Sequence, residues 1–139
     1  MSKIDEVAKI TKDRYKSSFE NHLGVKFVDY KDSRCEISLE IEEEHLNIGR
    51  SVHGGVISSL CDIAMSGAVT CNFMDKAESV VTLQMNVNYL RPGHEDDVLT
   101  AWGEIVKQGR TICYVEGGIK NQEGKLIARA TGDWFVKSK

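Results

Sequence analysis

The stretch VHGGVISSLCDIAMSGAVTCNF, residues 52–73, decides the fold of this chain. From Gly54-Gly55 to about Asn72 its pattern is helical, and at roughly 100° per residue its apolar side chains cover an arc of roughly 200°. A surface helix carries a narrower apolar stripe, roughly 100–140° wide. We therefore predict a helix that other elements surround on most sides. The remaining strip holds mostly small side chains: Ser58, Ser59, Asp62, Ser66 and Val69.

Apolar–polar alternation predicts six strands around this helix, two before it and four after it. A turn at residues 31–33 joins the first two strands, and a turn at residues 121–124 leads into the last. One buried helix with mostly antiparallel strands implies an α+β domain whose sheet wraps around the helix. The predicted strands are 25–30, 34–41, 81–89, 98–107, 111–119 and 125–136.

The rest of the chain fits the same single domain. Its 139 residues lie within the usual size of one domain, and no linker, repeat or low-complexity tract divides them. We therefore predict one domain over residues 1–139. Residues 5–19 are predicted to form an amphipathic helix that lies on this domain, with apolar positions at Val7, Ile10, Tyr15 and Phe19.

Composition narrows the classes of function. The formal net charge of -3 argues against a nucleic-acid partner, because phosphate binding leaves a basic footprint. Glycines, serines and Asp62 interrupt the segment 52–73, so we predict no membrane span. The first residues lack the apolar core of a secretory leader, and the cysteine spacings match no zinc or redox pattern. We therefore predict a cytoplasmic protein with four reduced thiols: Cys35, Cys61, Cys71 and Cys113.

Asp62 is the first candidate for chemistry. At the chain's charged content of 28%, residues 52–73 would hold about six charged side chains, yet they hold one. A carboxylate on an otherwise uncharged, buried helix is costly unless it is paired or hydrogen-bonded. This isolation makes Asp62 a candidate reacting group. The alternative is a solvated aspartate, or one that Ser58 or Ser66 fixes in place.

The helix start, His53-Gly54-Gly55, is the second candidate. A helix N-terminus offers free N–H groups and the positive end of the helix dipole, which suit a carbonyl oxygen that gains negative charge during attack. Two glycines also let a ligand approach the backbone closely. The alternative is an ordinary glycine-rich turn in which His53 serves only as a capping or packing residue.

Together these residues carry a resemblance to a known family. The segment LNIGRSVHGG (46–55), followed by Leu60, Asp62 and Ala64, resembles the signature of hotdog-fold acyl-CoA thioesterases of the phenylacetate-pathway (PaaI-like) group. The resemblance covers the chain from about Glu44 to Val136. It continues through three further segments: VTLQMNVNYLRP (81–92), KQGR (107–110) and GKLIA (124–128).

The resemblance implies a hotdog fold, in which an antiparallel sheet wraps around a central helix, and the hydrolysis of an acyl-CoA thioester to free acid and CoA. It places the reacting carboxylate at Asp62, as a nucleophile or as a base for water. The other roles follow by position: carbonyl binding by the Gly54 and Gly55 amides, thioester contacts by Asn47 and His53, and a hydroxyl that orients water or the carboxylate at Thr82.

The resemblance also implies partners. CoA carries phosphates, and Arg91, Lys107 and Arg110 lie at loop or turn positions where family members often bind them, although such side chains are often only solvated. Family sites form at a dimer interface, so we expect a homodimer or a dimer of dimers, that is, a homotetramer. No metal or cofactor is expected, because CoA belongs to the substrate.

Some alternatives stay open. The chain resembles, more distantly, hotdog dehydratases or hydratases and non-catalytic acyl-CoA-binding modules, although the spacing of His-Gly-Gly to Asp62 favours a thioesterase. Relatives often carry proline after the residue equivalent to Asn47, where this chain has Ile48, so we expect a less rigid loop. Thr82 falls on the polar face of its predicted strand, so a surface threonine is the alternative there. The acyl group is not identified by the sequence.

Overall fold

The computed structural model describes residues 1–14 and 18–139 of the chain. The helices are α1 (Lys3–Arg14), α2 (Phe19–Leu23) and α3 (Gly54–Asn72), and a 3₁₀ turn spans Glu43–His45. The strands are β1 (Lys26–Lys31), β2 (Arg34–Glu40), β3 (Ala77–Tyr89), β4 (Val98–Gln108), β5 (Ile112–Lys120) and β6 (Leu126–Ser138).

In this described part of the chain, six strands form one antiparallel sheet in the order β1-β2-β4-β5-β6-β3. The sheet curves around α3, which packs against β2, β3, β4 and β5. At the β1–β2 turn, Asp32 and Ser33 have φ angles of 52° and 62°, which is the conformation of a type I′ hairpin turn. The predicted α+β architecture, a sheet wrapped around a central helix, is confirmed.

The N-terminal helix differs from the prediction. We expected one helix over residues 5–19, but the structure describes α1 over Lys3–Arg14 and a separate helix, α2, that begins at Phe19. Ser18 is extended and caps α2, because its hydroxyl accepts the Asn21 N–H at 3.2 Å. A helix cannot continue through an extended residue, so the prediction is wrong at this end. Tyr15 lies outside the described residues.

Strand β3 contains a β-bulge that strict alternation did not predict. The pairing of β3 with β6 shifts register between Thr82 and Gln84. Val81 and Leu83 therefore face outward, 51% and 54% exposed, while Thr82 turns inward toward α3. The assignment of Thr82 to the polar face is thus corrected, because a bulge re-aims the side chains beside it.

Helix α3 lies very close to the sheet at Gly103. A Cβ atom at Gly103 would lie 2.4 Å from the Cα of Met65 and 2.7 Å from the carbonyl oxygen of Ala64. The helix is long and apolar enough to cross a membrane by composition, but its sheet-facing side is buried in the domain core. Val69 is also fully buried, so the prediction that it belongs to the uncovered strip is wrong.

We expect Gly103→Ala to lower the free energy of unfolding by about 1–3 kcal/mol, because the added methyl group meets helix backbone that has no room to move. Thr100→Ala, on the opposite face of β4, is the matched control and should change stability far less. Urea unfolding of the two variants measures the difference. Equal stability of the variants would contradict the close packing of α3 on β4.

Candidate active site

Asp62 lies on the side of α3 that the sheet leaves uncovered, and its side chain is half-buried. Its Oδ1 accepts hydrogen bonds from Thr82 Oγ1 at 2.7 Å and from Ser66 Oγ at 3.3 Å. Thr82 belongs to β3, so this contact joins the central helix to an edge strand of the sheet. Ser66 does contact Asp62, as one alternative anticipated, whereas Ser58 donates to the Gly55 carbonyl instead.

A buried indole directs the Ser66 hydroxyl. Trp134 on β6 is fully buried, and its Nε1–H donates to Ser66 Oγ at 2.7 Å. Because the indole occupies one lone pair of this oxygen, the hydroxyl hydrogen is left to point at Asp62 Oδ1. Sequence reasoning missed Trp134. The available signal was general: a buried tryptophan N–H needs a polar partner.

The second carboxylate oxygen of Asp62 is open. Oδ2 has no hydrogen-bond partner within the described residues, and it is not sealed from solvent. Asp62 lines a groove of about 780 Å³ that runs beside α3. A carboxylate that is held through one oxygen and open at the other is oriented to take up a proton or to attack a carbon atom.

The start of α3 presents one open amide. His53 caps the helix, because its Nδ1 accepts the Gly55 N–H at 2.8 Å. In the neutral ring the hydrogen is therefore on Nε2, at an exposed position. The Gly54 N–H, by contrast, has no acceptor in the parts of the chain that the structure describes. Of the two predicted carbonyl-binding amides, that of Gly54 is available and that of Gly55 serves the cap.

Asn47 closes the loop that leads into α3. Its Nδ2 donates to Ser51 Oγ at 3.1 Å, and its Oδ1 accepts the Ser51 N–H at 3.1 Å. The two backbones add a bond of 2.8 Å from the Asn47 N–H to the Ser51 carbonyl. The loop thus has its own hydrogen bonds in place of a proline, and Ile48 stands fully exposed at its tip. One Nδ2 hydrogen of Asn47 remains for a ligand.

His45 is a second residue that sequence reasoning missed. This buried imidazole accepts the Glu42 N–H at Nδ1 (3.0 Å), so Nε2 donates to the Leu23 carbonyl (2.8 Å). Its own carbonyl accepts the His53 N–H at 2.9 Å. His45 therefore connects the end of α2 to the capping residue of α3. Its position in a polar loop gave no sign that it is buried.

Gly54 and Asp62 are far apart within one chain. They lie eight residues apart on α3, which separates them by about 12 Å along the helix axis. A reacting carbonyl must lie within about 3 Å of both the amide donor and the attacking group. The structure therefore brings Asp62, Ser66 and Thr82 together, and it holds Asn47, His53 and Gly54 together in a second group.

The predicted phosphate-binding side chains also fall into two groups that lie far apart within one chain. Arg91 and Gly54 both line a small groove of about 230 Å³, and the loop after Arg91 packs against Leu99 at the start of β4. Lys107 and Arg110 are exposed at the end of β4 and in the turn after it. An 11-residue strand spans roughly 30 Å, so one chain does not gather all three side chains.

The cysteines have no role as nucleophiles at neutral pH. Burial raises the pKa of Cys35 and of Cys61 to about 12 and that of Cys71 to about 11, and the charge of Asp62 adds to the effect at Cys61. Burial also raises the pKa of Cys113. The protonated thiol does not attack a carbonyl. Across residues 1–14 and 18–139, no three His, Cys, Asp or Glu side chains are placed to hold a metal ion.

Comparisons with known proteins point to one family. The model of the thioesterase superfamily matches residues 49–128. Acyl-coenzyme A thioesterase 13 of Homo sapiens is 33% identical over 116 residues, which cover 81% of this chain and 80% of that protein. Acyl-coenzyme A thioesterase PaaI of Escherichia coli (strain K12) is 30% identical over 110 residues, covering 79% of this chain and 76% of that protein.

A solved structure shows the same likeness. A hypothetical thioesterase from Streptococcus pneumoniae TIGR4, crystallised with coenzyme A, is 36% identical to this chain. The two structures superpose with a TM-score of 0.76, over 88% of this chain and 94% of that chain.

We expect Ser66→Ala to lower the free energy of unfolding by about 1–3 kcal/mol, because it leaves the buried Trp134 N–H without an acceptor. The matched control is Ser59→Ala, since Ser59 bonds only the Gly55 carbonyl of its own helix. In a Trp134→Phe background the Ser66→Ala change should cost less, because both partners are then absent. Chemical unfolding of the four variants gives these energies, and equal costs in both backgrounds would rule the contact out.

Proposed function

Because this chain belongs to the thioesterase superfamily, as a hotdog-fold acyl-CoA thioesterase of the PaaI-like group, we propose a mechanism in which Asp62 is the reacting carboxylate and the start of α3 polarises the thioester carbonyl. The observation that carries this proposal is the geometry of Asp62. Two hydroxyl donors hold its Oδ1, while Oδ2 has no hydrogen-bond partner within the described residues, and Asp62 lines the groove beside α3. The products are the free acid and CoA.

The two parts of the site come from two chains. Strand β3 is an edge strand of 13 residues, and a long unpaired edge favours pairing with another strand. Thr82, which bonds Asp62, and Tyr89, which lies beside Gly54, are both on β3. If two copies of β3 pair antiparallel about a centre near Met85, Thr82 of one chain comes opposite Tyr89 of the other. Asp62 of one chain then meets the partner subunit's Gly54.

In this dimer the carbonyl oxygen accepts the Gly54 N–H, with the Asn47 amide and the His53 Nε2–H close to the thioester. The Gly55 N–H can donate to the same oxygen only if the His53 ring turns away, because Nδ1 of this ring accepts it now. Asp62 Oδ2 then attacks the carbonyl carbon and CoA leaves as thiolate, which gives an anhydride that water hydrolyses. Alternatively, Oδ2 takes a proton from the attacking water. The hydrogen bond from the Gly54 N–H stabilises the developing negative charge most strongly when the site excludes water.

The same two-chain arrangement determines which basic side chains of each chain contact CoA. Arg91 lies on the Gly54 side of one chain, and Lys107 and Arg110 lie at the far end of β4. A CoA bound between two chains reaches the Arg91 of one chain and the Lys107 and Arg110 of the other, where each side chain contacts phosphate.

We also propose that residues 1–139 act as one domain, that dimers pair into a homotetramer, and that the protein is cytoplasmic. The four unpaired thiols support the last of these proposals.

Asp62→Asn should lower kcat for acyl-CoA hydrolysis by about 10²–10⁴-fold, because the amide neither attacks nor accepts the proton. Its oxygen still accepts from Thr82, so stability and CoA binding should stay close to wild type. Release of CoA thiol measures the reaction, and Asp133→Asn on the outer face of β6 is the matched control. Near-full activity of Asp62→Asn would remove Asp62 from the mechanism. Tight acyl-CoA binding without thiol release by the wild type would instead favour a binding module.

A second prediction tests the two-chain site by complementation. Gly54→Pro removes only an N–H that the helix does not use, and proline suits this first helical position. The preceding residue His53, at φ -59° and ψ 136°, already has the conformation that proline requires of its neighbour. Gly54→Pro should lose about 10²–10³-fold in kcat, while Gly54→Ala, which keeps the amide, should lose far less.

When differently tagged Asp62→Asn and Gly54→Pro subunits are combined, the purified mixed dimer should recover about half of the wild-type activity, because one of its two sites is intact. A mixed dimer as inactive as its parents would show that the two residues do not serve one site across the interface.

A further inference from the structure

An aromatic side chain borders the first residue of α3. The ring of Tyr89, at the end of β3, lies against Gly54, because a Cβ atom at Gly54 would be 3.6 Å from Cε1 and 4.0 Å from Cζ of this ring. The phenolic oxygen is bonded to Cζ, so it lies at most one bond length farther away than Cζ. The Tyr89 hydroxyl is therefore a neighbour of the open Gly54 N–H.

The backbone of β3 holds the ring in this place. Tyr89 pairs with Ala128 of β6, and the next two N–H groups, those of Leu90 and Arg91, both donate to the Ile127 carbonyl, at 2.9 and 3.2 Å. Ala128 is fully buried. Residues directly opposite each other in a sheet share one face, so Tyr89 also lies on the side of the sheet that carries α3.

The hydroxyl of Tyr89 is free to bind a ligand. The side chain is 58% exposed, and its hydroxyl has no hydrogen-bond partner within residues 1–14 and 18–139. A phenolic O–H is a hydrogen-bond donor at neutral pH. Tyr89 thus packs its apolar ring against the helix start and leaves a donor for a group bound at Gly54.

The start of α3 has room for a second donor to the thioester carbonyl. A carbonyl oxygen has two lone pairs, and the charge that develops on it is stabilised by several fixed donors. The Gly54 N–H is open, but the Gly55 N–H donates to His53 Nδ1 at 2.8 Å. The helix thus offers one backbone donor, and the Tyr89 hydroxyl borders it from the strand.

We propose that the Tyr89 hydroxyl is a catalytic donor, which binds the thioester carbonyl oxygen together with the Gly54 N–H of the same chain. The inference rests on the proposed function, since it takes the start of α3 as the carbonyl-binding site. Attack on the carbonyl carbon moves an electron pair onto the oxygen, and the phenol stabilises that charge without transferring its proton. The pair returns when the CoA thiolate leaves, so the hydroxyl is unchanged.

The proposed dimer gives the ring a second role. When two β3 strands pair, Tyr89 comes opposite the partner subunit's Thr82, at a Cβ separation of about 4.5–5.5 Å. The ring then lies between Gly54 of its own chain and the partner subunit's Asp62. Covering the ring on this side excludes water from the carbonyl, which strengthens the hydrogen bonds made there.

The first test removes the hydroxyl alone. Tyr89→Phe should lower kcat for acyl-CoA hydrolysis by about 10²-fold with little change in KM, because the lost hydrogen bond is strongest in the transition state. Its free energy of unfolding should stay at the wild-type value. Tyr114→Phe is the matched control, since Tyr114 is 39% exposed and pairs with Asp133 on the outer face of the sheet. It should keep the wild-type kcat.

The second test asks which ligand atom the hydroxyl binds. Two CoA analogues of equal length are compared by titration calorimetry: a ketone, in which a methylene replaces the sulfur, and a thioether, in which a methylene replaces the carbonyl. Tyr89→Phe should weaken binding of the ketone by about three- to tenfold and leave binding of the thioether unchanged. A residue that only supports the fold would affect both analogues alike.

The third test places Tyr89 in the same half-site as Gly54. A purified mixed dimer of Asp62→Asn and Tyr89→Phe subunits should recover about half of the wild-type activity, because one of its two sites combines an intact Gly54 and Tyr89 with an intact Asp62. The matched mixture of Gly54→Pro and Tyr89→Phe subunits has a defect in both sites and should not exceed the activity of Tyr89→Phe itself.

The outcomes separate the two proposals. Wild-type kcat in Tyr89→Phe, equal weakening of both analogues, or no recovery in the mixture with Asp62→Asn would overturn the role of Tyr89 and leave Asp62 and Gly54 in place. If Tyr89→Phe is also less stable, the two analogue affinities decide, since a general loosening weakens both. Absence of hydrolysis of any acyl-CoA by the wild type would overturn the proposed function itself.

Discussion

The contact between α3 and the sheet at Gly103 sets the position of the central helix. Any side chain there would overlap the backbone at Met65, so the helix lies closer to the sheet than it could if a side chain separated the two. At this height Asp62 comes within 2.7 Å of Thr82 on the edge strand. The glycine in β4 and the bulge in β3 thus act together, because the first sets the depth of the helix and the second turns Thr82 toward it.

The length of α3 then has a functional consequence. The helix carries both an open amide at its first residue and a half-buried carboxylate two turns later, and the distance between them is too great for one carbonyl. Under the proposed mechanism, pairing of two β3 strands brings the carboxylate of one chain close to the open amide of the other. Strand β3 borders both groups and has no neighbour on one side within the described sheet. The proposed mechanism therefore requires two chains, and under this proposal pairing through β3 serves the reaction as well as stability.

The periodicity of the sequence predicted the fold well, because buried faces impose regular patterns. The wide apolar arc of residues 52–73 predicted a surrounded helix. Alternation predicted two strands before this helix and four after it, which is the order along the chain that the structure has. Irregular features were not predictable in this way. The bulge beside Thr82 breaks the period, and the break at Ser18 depends on a local capping bond. In the candidate site, the scarcity of charge singled out Asp62, whereas Trp134 and His45 act through contacts between residues that are distant in sequence.

The central claim is that a thioester carbonyl lies between the start of α3 in one chain and Asp62 in another. The most direct measurement is a crystal structure of the wild-type protein with a ketone analogue of an acyl-CoA, in which a methylene replaces the sulfur. The account predicts the ketone oxygen at about 2.7–3.1 Å from the Gly54 nitrogen of one subunit, with Asp62 Oδ2 of the other subunit facing the carbonyl carbon. A ketone bound away from both groups, or contacted by Gly54 and Asp62 of the same chain, would contradict it.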